Sequence, residues 1–385
     1  MKLSGPKLTR FWAFALAWGV FLSAATPMHA HKPSDSYLTV RATPAQVTGE
    51  WHLALRDLED AIGLDADDNG AITWDELRSR QTALSAYAGA RLHLRSGQQS
   101  AQLRITELLV DHHSDGAYAV LRFTVDRLAS VAALEVQYRA LFDLDPSHRG
   151  LLRLEHGGRT RLAIFSPTTS TQHFDLTTPA PRTAWLTFVK EGMWHIWTGY
   201  DHFLFLLALL LPGVLRHGAD GWEPVVAARP AFVNVLKVVT AFTVAHSITL
   251  SLAALGIVHL PARLVESAIA ASVVLAALNN LVPFFAERGW LVAFGFGLIH
   301  GFGFANALGD LGLRHGDLAI TLFGFNLGVE LGQLLIVALF LPLALAVRHL
   351  LFYRHFVLRA GSVAIIAVAV TWFAERALDF KWLPF

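Results

Sequence analysis

Residues 192–212 read Gly-Met-Trp-His-Ile-Trp-Thr-Gly-Tyr-Asp-His-Phe-Leu-Phe-Leu-Leu-Ala-Leu-Leu-Leu-Pro, a polar cluster that runs directly into an unbroken apolar segment. The apolar part predicts a membrane helix, and His195, Asp201 and His202 lie at its mouth. Hydrocarbon penalises an ionisable group unless it finds a partner, so such residues within a span indicate a functional site. The chain before this stretch has the pattern of a soluble domain, and the chain after it that of a bilayer domain.

The composition of the whole chain favours an integral membrane protein. Of its 385 residues 54% are hydrophobic and 16% are charged, and the mean hydropathy is +0.44. The net charge of +1 gives no indication of nucleic-acid binding. The chain has no cysteine, which excludes disulfides and thiolate metal ligands. Its 18 histidines can instead supply a site of imidazole and carboxylate groups.

The N-terminus has the order of a secretory signal peptide. Basic residues between Lys2 and Arg10 precede the apolar run from Phe11 to Ala25, and a stretch suited to cleavage ends at Ala30. The apolar run is short for a spanning helix. We therefore expect residues 1–30 to be a signal peptide and the segment that follows to be exported, as it also is if the peptide stays as an uncleaved anchor.

Residues 31–188 show the alternation of half-buried strands. Leu134, Val136 and Tyr138 alternate with polar residues, and the stretch from Ala119 to Val125 repeats this period. Similar apolar runs occur near 36–42, 46–55, 102–110, 150–155 and 160–165. The pattern predicts a small, antiparallel, β-sandwich-like exported domain.

One insertion, residues 65–76, matches the EF-hand calcium loop at every position. Helices are predicted on both sides of it, over 53–62 and 74–87. Gly70 provides the sharp turn, and a single loop outside the cytoplasm predicts weak, structural calcium binding, at ~10⁻⁴–10⁻³ M. An acidic turn without metal is the alternative. The predicted ligands are Asp65, Asp67, Asn69, the carbonyl of Ala71, Thr73 acting through water, and bidentate Glu76.

Two other histidine features of the exported segment are weaker indications of metal binding. Residues 111–115, Asp-His-His-Ser-Asp, contain ligand types, but their pattern is typical of a solvated hairpin turn. Cleavage after Ala30 makes His31 a free N-terminus, whose amine and ring can chelate copper or nickel.

Residues 192–385 contain six windows of spanning length, which predict an all-α bundle of six transmembrane helices. The windows are 194–215, 232–256, 264–286, 290–312, 318–346 and 357–375. With the preceding domain exported, the first helix runs inward, and six arginines in the linkers face the cytoplasm against four basic residues on the other side. This charge bias follows the positive-inside rule.

Each of the first five predicted helices carries polar groups that a bilayer penalises. Asparagine and glutamine side chains serve in membrane bundles as hydrogen-bonding links between helices, whereas several histidines together with carboxylates indicate a polar centre or a conduction path. Gly297 and Gly301 form a small-xxx-small face that predicts close helix contact beside His300. Besides those of the first helix, the polar groups are His246, Glu266, Asn279, Asn280, His300, Asn306, Asn326, Glu330 and Gln333.

Spacing refines this set of candidates. His195 and His202 are seven residues apart, which on one straight helix places them on the same face but roughly 10 Å apart along the axis. This separation is too large for a shared ion. We therefore expect His195 at an extracytoplasmic entrance, and Asp201 and His202 as one wall of a centre that is completed by His246, His300 and Glu330.

The pattern His195, five residues, Asp201-His202 resembles the signature of the HupE/UreJ family of proposed nickel permeases. The longer branch of that family also resembles this chain before the membrane, in the start at His31, in the Ala54-Leu-Arg-Asp-Leu stretch and in the calcium-like loop. The resemblance implies a multi-pass protein of the bacterial inner (plasma) membrane with its N-terminal domain on the extracytoplasmic side. It also implies that His195, Asp201 and His202 are essential to metal uptake.

One departure from the family pattern concerns the choice of metal. The shorter nickel permeases have a second signature, Phe-His-Gly, two residues, His-Gly and a later Glu. Here only His300-Gly301 matches its first His-Gly pair. We hypothesise that His246 and Glu330 supply the missing ligands from neighbouring helices.

Three functions are compatible with these residues. A permease for a divalent metal is favoured over an enzyme, with nickel implied by the resemblance and cobalt, copper or zinc accepted by the same N and O donors. No nucleotide-binding loop is present, so transport would use an ion gradient or the membrane potential. The alternatives are an intramembrane metalloenzyme, in which the histidines hold one ion with an open position for water, and a membrane anchor or assembly factor whose exported domain binds a partner.

Overall fold

The computed structural model describes residues 35–43, 46–97, 99–113, 116–125, 132–178, 185–218, 221–285, 288–303 and 315–378. The predicted signal peptide, His31 and Asn306 lie outside the described residues. Two compact units divide the described chain, one ending at Thr187 and the other beginning at Phe188.

The first unit contains ten described strands in two sheets. The larger sheet has the order β5-β6-β2-β1-β8-β9, and the smaller has the order β10-β7-β3-β4. The strands are β1 (Asp35–Ala42), β2 (Val47–Ala54), β3 (Leu92–Ser96), β4 (Gln99–Ala101), β5 (Leu103–His113), β6 (Gly116–Val125), β7 (Ala133–Tyr138), β8 (Arg149–His156), β9 (Arg159–Phe165) and β10 (Thr171–Asp175).

Both sheets contribute alternate residues to one hydrophobic core. Trp51 and Leu53 of β2 lie in the same buried cluster as Val136 and Tyr138 of β7, and all four are fully buried. Successive side chains of a strand point to opposite faces of the sheet, so the period-two pattern identified the core positions. The prediction of a β-rich N-terminal domain is confirmed.

The prediction of purely antiparallel pairing is wrong at one place. Strand β1 pairs with β8 in parallel, with Tyr37 opposite Leu151 and Val40 opposite Leu154. Parallel neighbours need a long crossover, which the chain between the two strands provides. Hydrophobic alternation specifies which face of a strand is buried and not which strand lies beside it, so the sequence pattern could not predict this pair.

Three helices accompany the strands in the described part of the first unit: α1 (Leu55–Ile62), α2 (Trp74–Ser79) and α3 (Gln81–Arg91). Helix α1 ends at Gly63, which has a left-handed φ of 64°. Helix α2 begins with a capping box between Thr73 and Glu76. The helix predicted over 74–87 is interrupted at Arg80, where φ is −92° and ψ is 7°.

The described part of the second unit consists of helices, their connecting loops and one short hairpin. Helix α4 is followed by α5 almost at once, and α5 continues into a 3₁₀ turn (Leu211–Val214). A π-helical segment (Tyr353–Ala360) leads into the last helix. The elements are α4 (Trp185–Thr198), α5 (Tyr200–Leu210), β11 (Leu215–Gly218), β12 (Gly221–Pro224), α6 (Ala228–Ala254), α7 (Ala262–Leu281), α8 (Gly289–His300), α9 (His315–Val347) and α10 (Gly361–Leu378).

Four stretches of the described chain are long and apolar enough to cross a bilayer: Ala228–Ala254, Ala262–Leu281, Leu318–Val347 and Tyr353–Leu378. The bent pair Trp185–Thr198 and Tyr200–Val214 makes a fifth if it is counted as one span. Helix α8 is apolar but shorter, and residues 304–312 of the predicted fourth span lie outside the described residues. The structure therefore supports a multi-pass membrane protein in a lipid bilayer, while a sixth span stays a prediction.

Candidate metal centre

The predicted first span is not one straight helix. Gly199 separates α4 from α5, and the two helices meet at an angle of 71°. A Cβ atom at Gly199 would lie 2.6 Å from the carbonyl oxygen of His195, so the bend needs a residue without a side chain. The ring centroids of His195 and His202 are 4.5 Å apart as a result. The prediction that these two histidines are too far apart to share an ion is therefore wrong.

Three histidines from three helices meet at this bend. His195 of α4, His202 of α5 and His246 of α6 each place one ligand nitrogen within 4.8 Å of the others. His202 and His246 are 5% and 0% exposed, respectively. A fourth ring, that of His300 on α8, lies with its centroid 4.9 Å from that of His202 and is also fully buried. The convergence on His202 expected for His246 and His300 is present in the structure.

Asp201 orients the ring of His202. Its Oδ1 atom lies 3.0 Å from Nδ1 of His202 and also accepts from the backbone N–H of His202 at 2.8 Å. A carboxylate can only accept, so Nδ1 carries the proton and Nε2 keeps its lone pair. Nε2 is buried and has no hydrogen-bond partner among the described residues. A carboxylate behind an imidazole is the arrangement that orients metal-bound histidines.

Ser272 of α7 orients the ring of His300 in a similar way, through a hydrogen bond to one ring nitrogen. The hydroxyl of Ser272 donates its single hydrogen to the carbonyl of Ile269 at 2.6 Å. It must therefore accept the hydrogen bond that joins it to Nε2 of His300 at 2.8 Å. This leaves the lone pair on Nδ1 of His300, a buried atom without a partner in the described part of the chain. His202 and His300 thus each keep one ring nitrogen available for a ligand bond.

Among the described residues, Arg376 of α10 is the cationic side chain that forms an ion pair with Asp201. Its Nη2 atom lies 3.9 Å from Oδ2 of Asp201, and its guanidinium packs over the ring of Trp372 at 5.8 Å. It also donates to the carbonyl of Glu266 at 3.3 Å. The carboxylate behind His202 is therefore held between an imidazole and a cation, which lowers the cost of keeping it ionised inside the bundle.

Close helix crossings beside glycines place the histidines. A Cβ atom at Gly297 would lie 2.5 Å from the carbonyl oxygen of Phe242, and one at Gly301 would meet the carbonyl of His246. The prediction of close helix contact at this small-xxx-small face is confirmed. A second crossing of this kind brings Gly192 of α4 against the backbone of Phe325 of α9. His195 thus lies about one helical turn after the contact at Gly192, and His300 about one turn after the contact at Gly297.

Glu330 is not brought into the histidine group. Its Oε1 atom accepts from the hydroxyl of Thr240 at 2.9 Å, beside a groove that includes Ser247 and Ser251. Thr240 precedes His246 by six residues, which is about 9 Å along the helix. The structure therefore places Glu330 beside the centre, on a separate polar stripe.

The amide side chains take several positions in the bundle. Asn280 donates to the carbonyl of Ala208 at 2.8 Å and to the hydroxyl of Ser362 at 3.1 Å, so its interpretation as a link between helices is confirmed. Gln333 accepts from Thr243 at 2.8 Å. Asn326 donates to the carbonyl of Leu322 within its own helix at 2.9 Å.

Sequence reasoning missed two residues of the centre, Ser272 and Arg376. Ser272 is a polar residue within an apolar helix, and this pattern could have identified it as a site residue. Arg376 is one of the four basic residues that the charge bias places on the extracytoplasmic side, and its contact with Asp201 depends on how α10 packs.

The predicted calcium loop forms a second group of ligand atoms. The carboxylates of Asp65, Asp67 and Glu76 lie within 4.8 Å of one another, and Gly70 has the positive φ of 81° that a sharp turn needs. Hydrogen bonds from the backbone N–H of Gly70 lower the pKa of Asp65. Hydrogen bonds from the hydroxyl and the backbone of Thr73 lower the pKa of Glu76. Both carboxylates are therefore favoured in the ionised form that a cation needs.

The fold and the site define a multi-pass membrane protein with a buried histidine centre. A family model described as HupE / UreJ protein matches residues 170–376, which is more than half of the chain. The chain belongs to this family, and the resemblance seen in the sequence is confirmed. The family is linked to the transport of metals, nickel and cobalt, and is associated with transport rather than catalysis. A comparison with curated proteins gave no match.

Proposed function

We propose that this protein is a membrane permease for a divalent transition metal, with nickel as the substrate that its family favours. The observation that carries the proposal is the convergence of His195, His202 and His246 from three helices within 4.8 Å. Imidazole donors suit nickel, cobalt, copper and zinc, and the chain has no cysteine to offer thiolate. His300 and Asp201 complete the centre, the first as a further ligand and the second by holding His202.

The charge of the centre suits an ion in transit. Its ligands are neutral imidazoles, and the carboxylate of Asp201 is already shared with Arg376 at 3.9 Å. Conduction requires a site that binds strongly enough to replace hydration water but weakly enough to release the ion. A group of histidines with one carboxylate behind it meets both conditions better than a group of thiolates or several carboxylates.

Glu330 provides a second metal-binding position along the transport path. Its Oε2 atom is buried without a hydrogen-bond partner in the described part of the chain, and Thr240 and Ser247 line the same groove as Glu330. Oxygen donors at this position let an ion exchange ligands in steps after it leaves His246. Glu330 thus acts as a metal ligand outside the three-histidine group. The driving force would be an ion gradient or the membrane potential.

The exported domain and the orientation of the chain belong to the same proposal. Residues 1–30 act as a signal peptide, and the N-terminal domain lies on the extracytoplasmic side of the bacterial inner membrane, as the positive-inside bias supports. The loop at 65–76 holds calcium as a structural ion through the side chains of Asp65, Asp67, Asn69, Thr73 and Glu76 and the carbonyl of Ala71. The grouped carboxylates and the turn at Gly70 support this role.

Uptake of nickel into vesicles that contain the purified protein tests the permease. We expect His202→Ala to lower the initial rate about 100-fold or more, because removing a ligand costs at least as much as removing an outer partner, which costs 10–100-fold. His259→Ala is the matched control, because His259 is an exposed histidine beyond the end of α6. Its uptake should equal that of the wild type.

The same experiment separates the permease from its alternatives. Wild-type uptake by a correctly inserted His202→Ala protein would exclude the transport role of the histidine centre. A group of three histidines with an open position also suits a metalloenzyme, which would instead hold one ion tightly and show no flux. A membrane anchor would show neither flux nor a tightly held ion.

A further inference from the structure

A second cluster of metal-ligand types lies in the first unit, outside the membrane helices. His52 of β2, and Asp111 and His113 of β5, each place one ligand atom within 4.8 Å of the others. These residues precede the region that the family model matches, which begins at residue 170. The cluster shares no residue with the histidine centre or with the calcium loop.

The sheet brings these residues to one face. Trp51 and Leu53 point into the core, so His52 between them points to the opposite face. Asp111 and His113 are two residues apart on β5 and therefore share a face with each other. Strand β6 lies between β5 and β2, so the side chains reach across one strand to meet.

His113 is held in place by aromatic packing. Its ring stacks on that of Tyr37 with centroids 5.0 Å apart and lies 4.3 Å from the ring centroid of Tyr118. The interpretation of this hairpin end as a solvated turn is therefore wrong for His113. The neighbouring His112 does stay exposed.

Glu50 orients the ring of His52. Its Oε1 atom lies 3.0 Å from Nε2 of His52, and its Oε2 atom accepts from Arg122 at 3.0 Å. The carboxylate can only accept, so His52 donates from Nε2 and keeps its lone pair on Nδ1. Nδ1 faces Nε2 of His113 at 2.9 Å. This is again a carboxylate behind an imidazole, as in metal sites.

The spacing of the two rings suits a shared ion. A first-row ion binds imidazole nitrogen at about 2.0–2.1 Å, so two ligands at right angles around it lie about 3 Å apart. Nδ1 of His52 and Nε2 of His113 are already 2.9 Å apart, joined by a hydrogen bond whose proton an ion would replace. Asp111 is exposed and can bring a carboxylate oxygen to the same ion after a small movement of its side chain.

We propose that His52, Asp111 and His113 form a binding site for a divalent first-row transition metal on the exported domain. Two imidazoles and one carboxylate prefer such an ion to calcium or magnesium, which take all-oxygen sites. Three protein ligands leave coordination positions open to water, so the bound ion can be exchanged. The site therefore suits capture of the metal outside the membrane.

Nickel titration of the full-length protein in detergent, without an affinity tag, tests the site. The measurement uses the His202→Ala background, which weakens nickel binding at the membrane centre, and saturating calcium, which occupies the loop at 65–76. Each variant is compared with this parent. We expect His113→Ala to weaken the binding of one nickel ion at least about 10-fold relative to this parent. His112→Ala is the matched control and should bind nickel as its parent does.

Asp111→Asn is a second variant that should remove a metal ligand without disturbing the fold. Asp111 is exposed, and the substitution keeps its size while removing its charge, so the fold should persist. We expect nickel affinity to fall several-fold while the melting temperature stays unchanged. Unchanged nickel binding in both folded variants overturns the proposal, as does the absence of nickel binding in the His202→Ala parent or displacement of nickel by calcium. None of these outcomes depends on uptake, so the permease stands or fails separately.

Discussion

The predicted calcium loop and the histidine centre show two ways of assembling a group of ligand atoms. Asp65, Asp67 and Glu76 lie within 12 consecutive residues, and the loop's own backbone N–H groups position their carboxylates. The centre takes His195 and His246 from helices whose positions depend on glycine contacts. The loop lies at the surface, whereas the centre is buried. One group is therefore encoded locally, and the other depends on tertiary packing.

This difference has a consequence for mutations. The loop should tolerate changes outside its own residues, because its ligands are held by hydrogen bonds to near neighbours. The centre should be sensitive to residues that never touch a metal, because a shift of one helix by an ångström moves one ligand relative to the others. Substitutions that are not at ligands are therefore the sharpest way to test the comparison.

Among substitutions that are not at histidine ligands, the largest effect is expected from Gly301→Ala. The new Cβ would meet Thr249 and the carbonyl of His246, so α8 must move away from α6. Overpacking of this kind costs about 1–3 kcal/mol and separates His300 from the other rings. We expect nickel uptake to fall at least about 10-fold and the melting temperature of the membrane unit to drop.

Gly295→Ala provides the control on the same helix. A Cβ at Gly295 would meet nothing within 4 Å, so uptake and melting temperature should stay at the wild-type level. If Gly301→Ala transports as well as Gly295→Ala, the helix crossing does not position the centre.

An intermediate effect is expected from Ser272→Ala. The substitution removes the oxygen that accepts from Nε2 of His300, so the ring loses the partner that keeps its lone pair on Nδ1. Loss of such an outer partner lowers metal affinity by about 10–100-fold, and we expect the lower end of this range. The half-saturating nickel concentration in the uptake assay measures it.

Ser272→Thr should restore most of the affinity, because it keeps the hydroxyl. Ser267→Ala on the same helix, which only loses a bond to the carbonyl of Arg263, should leave it unchanged. Equal affinity in Ser272→Ala and the wild type would show that His300 takes no part in metal binding.

The smallest effect is expected from Glu76→Gln, which removes the bidentate calcium ligand. In the wild type, calcium at millimolar concentration should raise the melting temperature of the first unit by a few degrees, because a ligand that binds only the folded state stabilises it. The variant should lose this shift while nickel uptake continues.

Asp68→Asn is the matched control for the loop, because Asp68 is not a predicted ligand and asparagine tolerates its positive φ of 56°. It should keep the calcium-dependent shift. If calcium does not change the melting temperature of the wild-type protein, the proposal of a calcium loop is contradicted.

Local patterns predicted much of the fold. Alternation over 134–138 identified β7, and apolar runs identified the long helices α6, α7 and α9, because the period of a strand or helix follows from backbone geometry alone. Strand β3 was missed, since Leu92 and Leu94 are its only buried alternate residues and five residues are too few for a clear period. The parallel pairing of β1 with β8 was missed because register between distant strands leaves no local signal.

The sequence by itself determined which residues are candidate ligands, because polar groups in apolar helices stand out. It also predicted the calcium loop, whose proposed ligands lie within 12 consecutive residues. The tertiary structure alone decided the distances. The bend at Gly199 brought His195 to His202, which a straight helix would separate, and the sheet brought His52 to His113 across β6. Contacts between distant segments depend on how elements pack, and residue spacing along one element cannot specify that.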